Sequence, residues 1–265
     1  MEVNSISKGY REYNEDMVIV IKDHLFVVVD AATGIGEPIN QPSDGVFFAK
    51  ELKKEILDLY HSGRLTPKNF VKQMNMISKR IYSRYVKGHK DLERYQFPYA
   101  SICLAYIDVC DVHIFSIGDS KAFLLFKDGK ARFISDQSIP LLDKKLFEEF
   151  GSLEKAIPEL RKARASFNKG GYRCVYSLYK KPNLKFKHEV YDIRNINELY
   201  LCSDGYYLAF DTFKFYKSRR ELFSSKHDLQ DVYKKIESAV TSDPKRIKYP
   251  RLKVTDDISA IRVVF

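Results

Sequence analysis

Tryptophan is absent from the 265-residue sequence, which holds only four cysteines and six histidines. None of the cysteines (Cys103, Cys110, Cys174 and Cys202) stands in a C-x-x-C pair, and each lies in or beside an apolar run. That pattern argues against a disulfide framework and a thiolate zinc site, and predicts reduced cysteines in or near strands. The histidines are scattered without ligand spacing, so no histidine zinc centre is readable either. Long apolar runs are also missing. The longest, residues 17–21 and 25–29, fall far short of the ~20 residues that a membrane-spanning helix needs. The opening MEVNSISKGY has no basic stretch followed by an apolar one, so no secretory signal is expected and the chain reads as soluble and cytoplasmic. Repeats, low-complexity tracts and Ser/Gly/Pro linkers are absent, which predicts one domain over residues 1–265.

What is present is a core-forming composition. The chain is 45% hydrophobic and carries 18 Tyr and 18 Phe, side chains whose burial makes disorder a poor reading. Its net charge is +10, from 45 Lys+Arg against 35 Asp+Glu. Such a balance suits nucleic acid, an acidic membrane face or phosphorylated substrates. The basic residues are spread along the chain, however, and the densest patch, KRIKYPRLK at 245–253, reads as a solvated loop. Nucleic acid is therefore not the expected partner.

Residues 17–21 and 25–29 read as a hairpin turning at Lys22-Asp23-His24. Helices are predicted over 46–61 and from Thr66-Pro67 to about residue 86. Strands follow at 100–107, 112–116, 122–126 and 131–134, separated by Asp111, Gly118-Asp119 and Asp128-Gly129 as in an antiparallel meander. A helical pattern over 143–162 is interrupted by Gly151 and Pro158. Strands at 172–176, 186–191 and 198–202, a helix within 219–240 and a last strand at 258–265 complete the pattern. Strands grouped without regular β-α-β alternation predict an α+β fold of antiparallel sheets with helices layered outside.

Acids punctuate the ends of these strands. Asp30 follows LFVVV, Asp119 follows VHIFSIG, Asp204 follows ELYLCS, and Asp256-Asp257 precedes ISAIRVVF. One acid at a strand end is an ordinary turn former. Four in the same layout can meet at one edge of a layered sheet, where packed carboxylates repel one another unless a cation neutralises them. Oxygen donors of this kind favour hard cations such as Mg²⁺ or Mn²⁺ over zinc.

The order of motifs resembles that of the metal-dependent protein Ser/Thr phosphatases of type 2C. It reads REYNED (11–16), VVVDAATG (27–34), IGDSKAFLL (117–125), LCSDGYY (201–207) and DDISAI (256–261), with weaker echoes in SDQS (135–138) and GGYRCVYS (170–177). The resemblance spans nearly the whole chain. It implies a four-layer α-β-β-α sandwich, two antiparallel sheets flanked by helices, with a two-metal site at one edge and a variable flap at about 136–172. It implies two divalent ions, Mn²⁺ or Mg²⁺, and a loosely held third. Asp30 would bridge the two ions, Asp204 and Asp256 would bind one, and the carbonyl of Ala31 would face the other. Glu15 and Asp16 match an acidic pair that binds metal directly or through its water shell, and Asp119 matches a ligand of the third ion. Arg11 matches the arginine that grips the substrate phosphate, where a guanidinium fork outperforms a lysine. Two ions sharing a water lower its pKa and hold it as hydroxide in line with phosphorus, so a phosphoserine or phosphothreonine protein is hydrolysed directly. None of the cysteines opens a C-x₅-R loop, and no thiolate nucleophile is required. The implied partner is a phosphorylated protein, in opposition to a Ser/Thr kinase; the oligomeric state is not legible.

The chain departs from the family pattern after Asp30, where Ala31-Ala32 replaces the usual glycine and, in some members, a histidine. Lys121 replaces the arginine of G-D-S-R, and Tyr99-Ala100-Ser101 replaces a G-T-T-like segment. These changes raise an alternative, a catalytically weak pseudophosphatase that binds a phosphoprotein or a kinase. A phosphatase for a small phosphorylated molecule is a further alternative, decided by the lysine- and arginine-rich flap. Of the paired acids, Asp256 is the ligand that the resemblance implies, since the family motif places its first acid on the metal; strand alternation points the two side chains to opposite sides, so two equal ligands are not expected.

Overall fold

Residues 25–29 are apolar at every position because both faces of their strand are covered. Leu25, Val27 and Val29 pack into one core and Phe26 and Val28 into another, all at 0% exposure, as the period of two along a strand requires. A computed structural model describes residues 1–10, 12–87, 91–169, 174–180, 182–224 and 226–265. The strand in question, β3 (Leu25–Ala32), lies in an antiparallel sheet ordered β2 (Asp16–Ile21), β3, β4 (Tyr99–Asp108), β5 (Asp111–Ile117), β9 (Lys187–Asp192), with the short β8 (Tyr176–Ser177) against the first residues of β4. The second sheet has five antiparallel strands ordered β1 (Glu2–Lys8), β11 (Ile258–Val264), β10 (Ile196–Cys202), β6 (Lys121–Phe126), β7 (Ala131–Ile134).

The sheets face each other across a core of Phe26, Val28, Ala105, Ile114, Leu201 and Ile261 with their neighbours. Helices α1 (Asp44–His61) and α2 (Phe70–Tyr85) cover the outer face of the first sheet. Helices α5 (Asp204–Asp211), α6 (Arg219–Leu222) and α7 (Leu229–Ser242) cover the outer face of the second. The result is the α-β-β-α sandwich expected from the sequence. Each fully buried Leu, Ile or Phe in these layers stabilises by roughly 1.5–3 kcal/mol relative to exposure. Helices α3 (Ser138–Phe150) and α4 (Leu153–Ser166) fill the flap segment and form a small lobe around Leu142, Leu146, Leu160 and Phe167. Among the described residues no helix is long and apolar enough to cross a membrane.

Several elements differ from the sequence-based expectation. The helix expected over 143–162 is two helices: Gly151 takes a left-handed φ of 71° and ends α3, and the Ser152 hydroxyl caps α4 by accepting from the Lys155 N–H. Helix α2 starts at Phe70, because Asn69 accepts from the Thr66 N–H at 3.0 Å and turns residues 66–69. Strand β1 was not expected, since only Ile6 of EVNSISK is buried and its pairing depends on β11. Helix α5 was not expected either, its eight residues being too few to show a period. Of the strand expected at 172–176, residues 172 and 173 lie outside the described residues, and pairing is confined to Tyr176–Ser177. The basic patch at 245–253 is not simply a solvated loop. Arg251 is buried and pairs with Asp243 at 3.0 Å, and it donates to the carbonyls of Tyr249 and Val254.

Candidate metal centre

The acids converge because strands of both sheets end at the same edge of the sandwich. In the first sheet Asp16 opens β2 directly opposite Asp30 on β3, and Asp30 in turn lies opposite Ser101 on β4. Asp119 follows β5 through Gly118, whose φ is +82° and where a Cβ would stand 2.3 Å from the Ser101 hydroxyl, which leaves no room for a side chain. The Ser101 hydroxyl donates to Asp119 Oδ1 and accepts from the Asp119 N–H, which pins the acid over the end of β4. In the second sheet Ser203 and Ser259 exchange hydrogen bonds, N–H to carbonyl at 2.9 Å and N–H to hydroxyl at 3.0 Å. That latch sets Asp204, the first residue of α5, beside the Asp256-Asp257 bend. Gly205 completes it: a Cβ there would stand 2.0 Å from the Asp257 carbonyl oxygen. The sheets meet where the Asp204 N–H points to Asp30 Oδ2 at 3.4 Å.

Electrostatics describe a crowded centre. Burial, followed by the charges of Asp204 and Asp16, holds the Asp30 carboxyl well above the ordinary carboxylate range. Asp16 is raised well above it by burial and then by Asp256, Asp257 and Asp204. Asp256 is pushed up to about 7, by burial more than Lys253 offsets. Burial raises Asp119 as well. At Asp204 burial is outweighed by Lys253 and Lys121, and its carboxyl lies below the usual range. Such acids cannot all be ionised together without a compensating cation.

Two carboxylate oxygens, Asp16 Oδ2 and Asp204 Oδ1, are buried with no hydrogen-bond partner. Buried orphan oxygens are rare unless an ion or water serves them, and an all-oxygen donor set suits Mg²⁺ or Mn²⁺. The residues therefore fit divalent cations in their chemistry. Their arrangement is not preassembled: among the described residues no three His, Cys, Asp or Glu stand in metal-holding geometry. An ammonium intervenes, since Lys253 Nζ forms an ion pair with Asp256 Oδ2.

The remaining predicted residues take separate positions. Ala31 is buried at the end of β3 and lines the cleft. Glu15 is committed elsewhere. Its Oε1 accepts from the hydroxyls of Thr33 and Ser43, and its Oε2 from the Thr33 N–H at 3.3 Å, so it ties the loop after Asp30 to the start of α1. Asp257 accepts from the N–H groups of Tyr10 at 2.9 Å and Glu15 at 2.7 Å, while Asp256 points its carboxylate at Lys253. The two acids thus serve different sides. Arg11 lies outside the described residues, as do residues 170–173 of the GGYRCVYS segment.

A cleft of about 660 Å³ opens beside the acids, walled by Ile139, Leu142, Leu160 and Arg164 of the flap lobe. Arg164 fastens that lobe to the edge where the acids converge, donating to the Thr33 carbonyl at 2.8 Å and to the Tyr99 hydroxyl at 3.1 Å. Sequence reasoning missed Lys253, Thr33, Arg164 and Asp143. Asp143 sits in the cleft wall with its carboxyl raised to about 6 by burial. Thr33 and Lys253 each stand three residues from a motif acid, whereas Asp143 and Arg164 are brought to the edge by long-range packing.

No protein-family profile matches the chain, and no curated protein matches it in sequence. Solved structures do match. The serine/threonine phosphatase Stp1 of Staphylococcus aureus aligns over 100% of this chain and 94% of its own at 13% identity, with a TM-score of 0.59. A bacterial serine phosphatase aligns over 100% and 97% at 15% identity and a TM-score of 0.60. The catalytic domain of the serine threonine protein phosphatase PstP, solved in complex with two manganese ions, aligns over 98% and 96% at 15% identity and a TM-score of 0.57. The chain has the type 2C phosphatase fold. At these identities it is the architecture that is shared. In the type 2C fold as this chain builds it, the motif acids Asp16, Asp30, Asp119, Asp204 and Asp256 all reach one edge, and Asp257 accepts from the N–H groups of Tyr10 and Glu15.

Proposed function

We propose that the chain is a metal-dependent phosphoprotein phosphatase acting on phosphoserine and phosphothreonine. One observation carries this reading: acids from the strand ends of both sheets converge beside an open cleft, with Asp16 Oδ2 and Asp204 Oδ1 buried and unpartnered. Asp30, Asp204 and Asp256 are the proposed ligands of two divalent ions, Mn²⁺ or Mg²⁺, with the Ala31 carbonyl and Asp16 completing the shell and Asp119 available to a third. Bound cations would supply Lewis-acid activation of water and neutralise charge on the phosphoryl group. The chain's own residues do the rest. Arg11 is the proposed grip on the phosphate through its guanidinium fork, and Asp257 holds the N–H groups of Tyr10 and Glu15, which flank it in sequence. Glu15 fixes the loop after Asp30 through Thr33, and Arg164 anchors the flap wall to the same loop. The proposed partner is a phosphorylated protein in the cytoplasm, phosphorylated by an opposing Ser/Thr kinase.

The test is hydrolysis of an aryl phosphate with Mn²⁺ or Mg²⁺ and an EDTA control. Metal-dependent turnover lost in Asp204→Asn supports the reading; turnover that ignores EDTA or survives that substitution sinks it. Phosphoserine, phosphothreonine and phosphotyrosine peptides then define the substrate class. The ion pair of Lys253 with Asp256 favours one second reading, a weak or inactive phosphatase that binds phosphoproteins. Phosphopeptide binding without turnover at saturating Mn²⁺ is its signature.

A further inference from the structure

Lys121, Arg251 and Lys253 line the pocket beside Asp204 and Asp256, and of these three Lys253 alone pairs its charge with a motif carboxylate. Lys121 is buried, donates to the Asp119 carbonyl at 2.6 Å and lies 5.1 Å over the Tyr207 ring, so it is held in place. Arg251 is locked onto Asp243 and nearby carbonyls. Lys253 differs. Its Nζ rests on Asp256 Oδ2, its side chain is 38% exposed to the cleft, and the charges of Asp204 and Asp143 also act on it. The residue before it, Leu252, is buried in the flap lobe, and the residue after it, Val254, is exposed. The backbone is anchored at Leu252, and the side chain lines the cleft.

We propose that Lys253 is a built-in competitor of the divalent cation: its ammonium neutralises Asp256 and Asp204 in the metal-free protein and must leave Asp256 when the ion binds. The inference rests on the metal-centre reading above. The same carboxylate oxygen cannot give its charge fully to both cations, so ion binding includes the cost of breaking the lysine pair. Lys253 thereby sets the Mn²⁺ concentration at which the centre fills.

Mn²⁺ titration by calorimetry, with free Mn²⁺ followed in parallel by electron paramagnetic resonance, tests this on the full chain without reference to turnover. The comparison is wild type, Lys253→Met, Lys253→Gln and, as a control for simple charge loss in the adjoining pocket that Lys253 also lines, Lys144→Met, whose partner is the exposed Glu148 at 3.9 Å. Both Lys253 variants are expected to bind Mn²⁺ at least about fivefold more tightly, as removal of a competing ion pair of this kind allows, and Lys144→Met within about twofold of wild type. Their melting temperatures in EDTA should fall while the rise on adding Mn²⁺ grows, which also reports that they fold. Unchanged or weaker Mn²⁺ binding in both Lys253 variants, or an equal gain in Lys144→Met, overturns the competitor role and leaves the metal centre standing. No Mn²⁺ binding by any of the four proteins overturns both.

Discussion

Asp256→Asn should stabilise the metal-free protein and remove its response to Mn²⁺. The Asp256 carboxyl is pushed from the ordinary 3.8 up to about 7, first by burial and then by the neighbouring acids, with Lys253 offsetting part of the effect. A group whose folded pKa is raised contributes stability that is fully present below its unfolded pKa and is lost as pH rises through the folded value. For Asp256 that window runs from about pH 4 to about pH 7. At ~1.4 kcal/mol per pH unit the loss is about 4 kcal/mol, an upper figure because the carboxyl shares its titration with its neighbours. Its side chain is only 27% exposed, so solvent screening removes a minor part. Asparagine is nearly isosteric and never ionises. At about pH 8 and in EDTA the variant should therefore gain roughly 2–4 kcal/mol, or about 4–8 °C in Tm for a chain of this length. At about pH 4 the two proteins should melt together. Mn²⁺ at about 1,000 Kd removes that advantage or reverses the ranking, since it stabilises wild type by ~4.1 kcal/mol and the variant has lost a ligand. Thermal melts across pH, with and without Mn²⁺, read all of this. A variant no more stable than wild type at about pH 8 in EDTA would refute the reasoning, because Asp256 would then be ionised at no cost.

Other consequences are as direct. Asp257→Ala frees the N–H groups of Tyr10 and Glu15, so KM for a phosphopeptide should rise about tenfold or more while Mn²⁺ affinity stays within about twofold; steady-state kinetics beside calorimetry separate the two. Gly205→Ala drives a methyl to 2.0 Å from the Asp257 carbonyl oxygen and should cost about 1–3 kcal/mol, read in urea melts, with turnover falling as α5 shifts Asp204. Phe26→Ala empties a site between the sheets that is 0% exposed and should cost about 3–5 kcal/mol with Mn²⁺ affinity preserved in the protein that remains folded.

Local sequence carries some of these features strongly and others not at all. Strand β3 was legible because five successive apolar residues ending in Asp30 fit a strand covered on both faces. The latch between Ser203 and Ser259 was not, since two serines 56 residues apart show no pattern until β10 and β11 pair. The basic stretch at 245–253 misled for a related reason. Its charges are identical in kind, yet Asp243 draws Arg251 inward and Asp256 draws Lys253 to the cleft. Charge density along a chain says nothing of which partner burial will supply.

By itself, then, the sequence determined the strand-end acids, their order, and the oxygen-rich donor set that calls for a hard cation, because residue type and strand period are local properties. Only the tertiary structure decided that Glu15 answers to Thr33 and Ser43, that Asp257 accepts from the N–H groups of Tyr10 and Glu15, and that a lysine rests on Asp256. Those assignments depend on which groups meet at a few ångströms across two sheets, and hydrogen bonds and ion pairs lose their meaning beyond that distance.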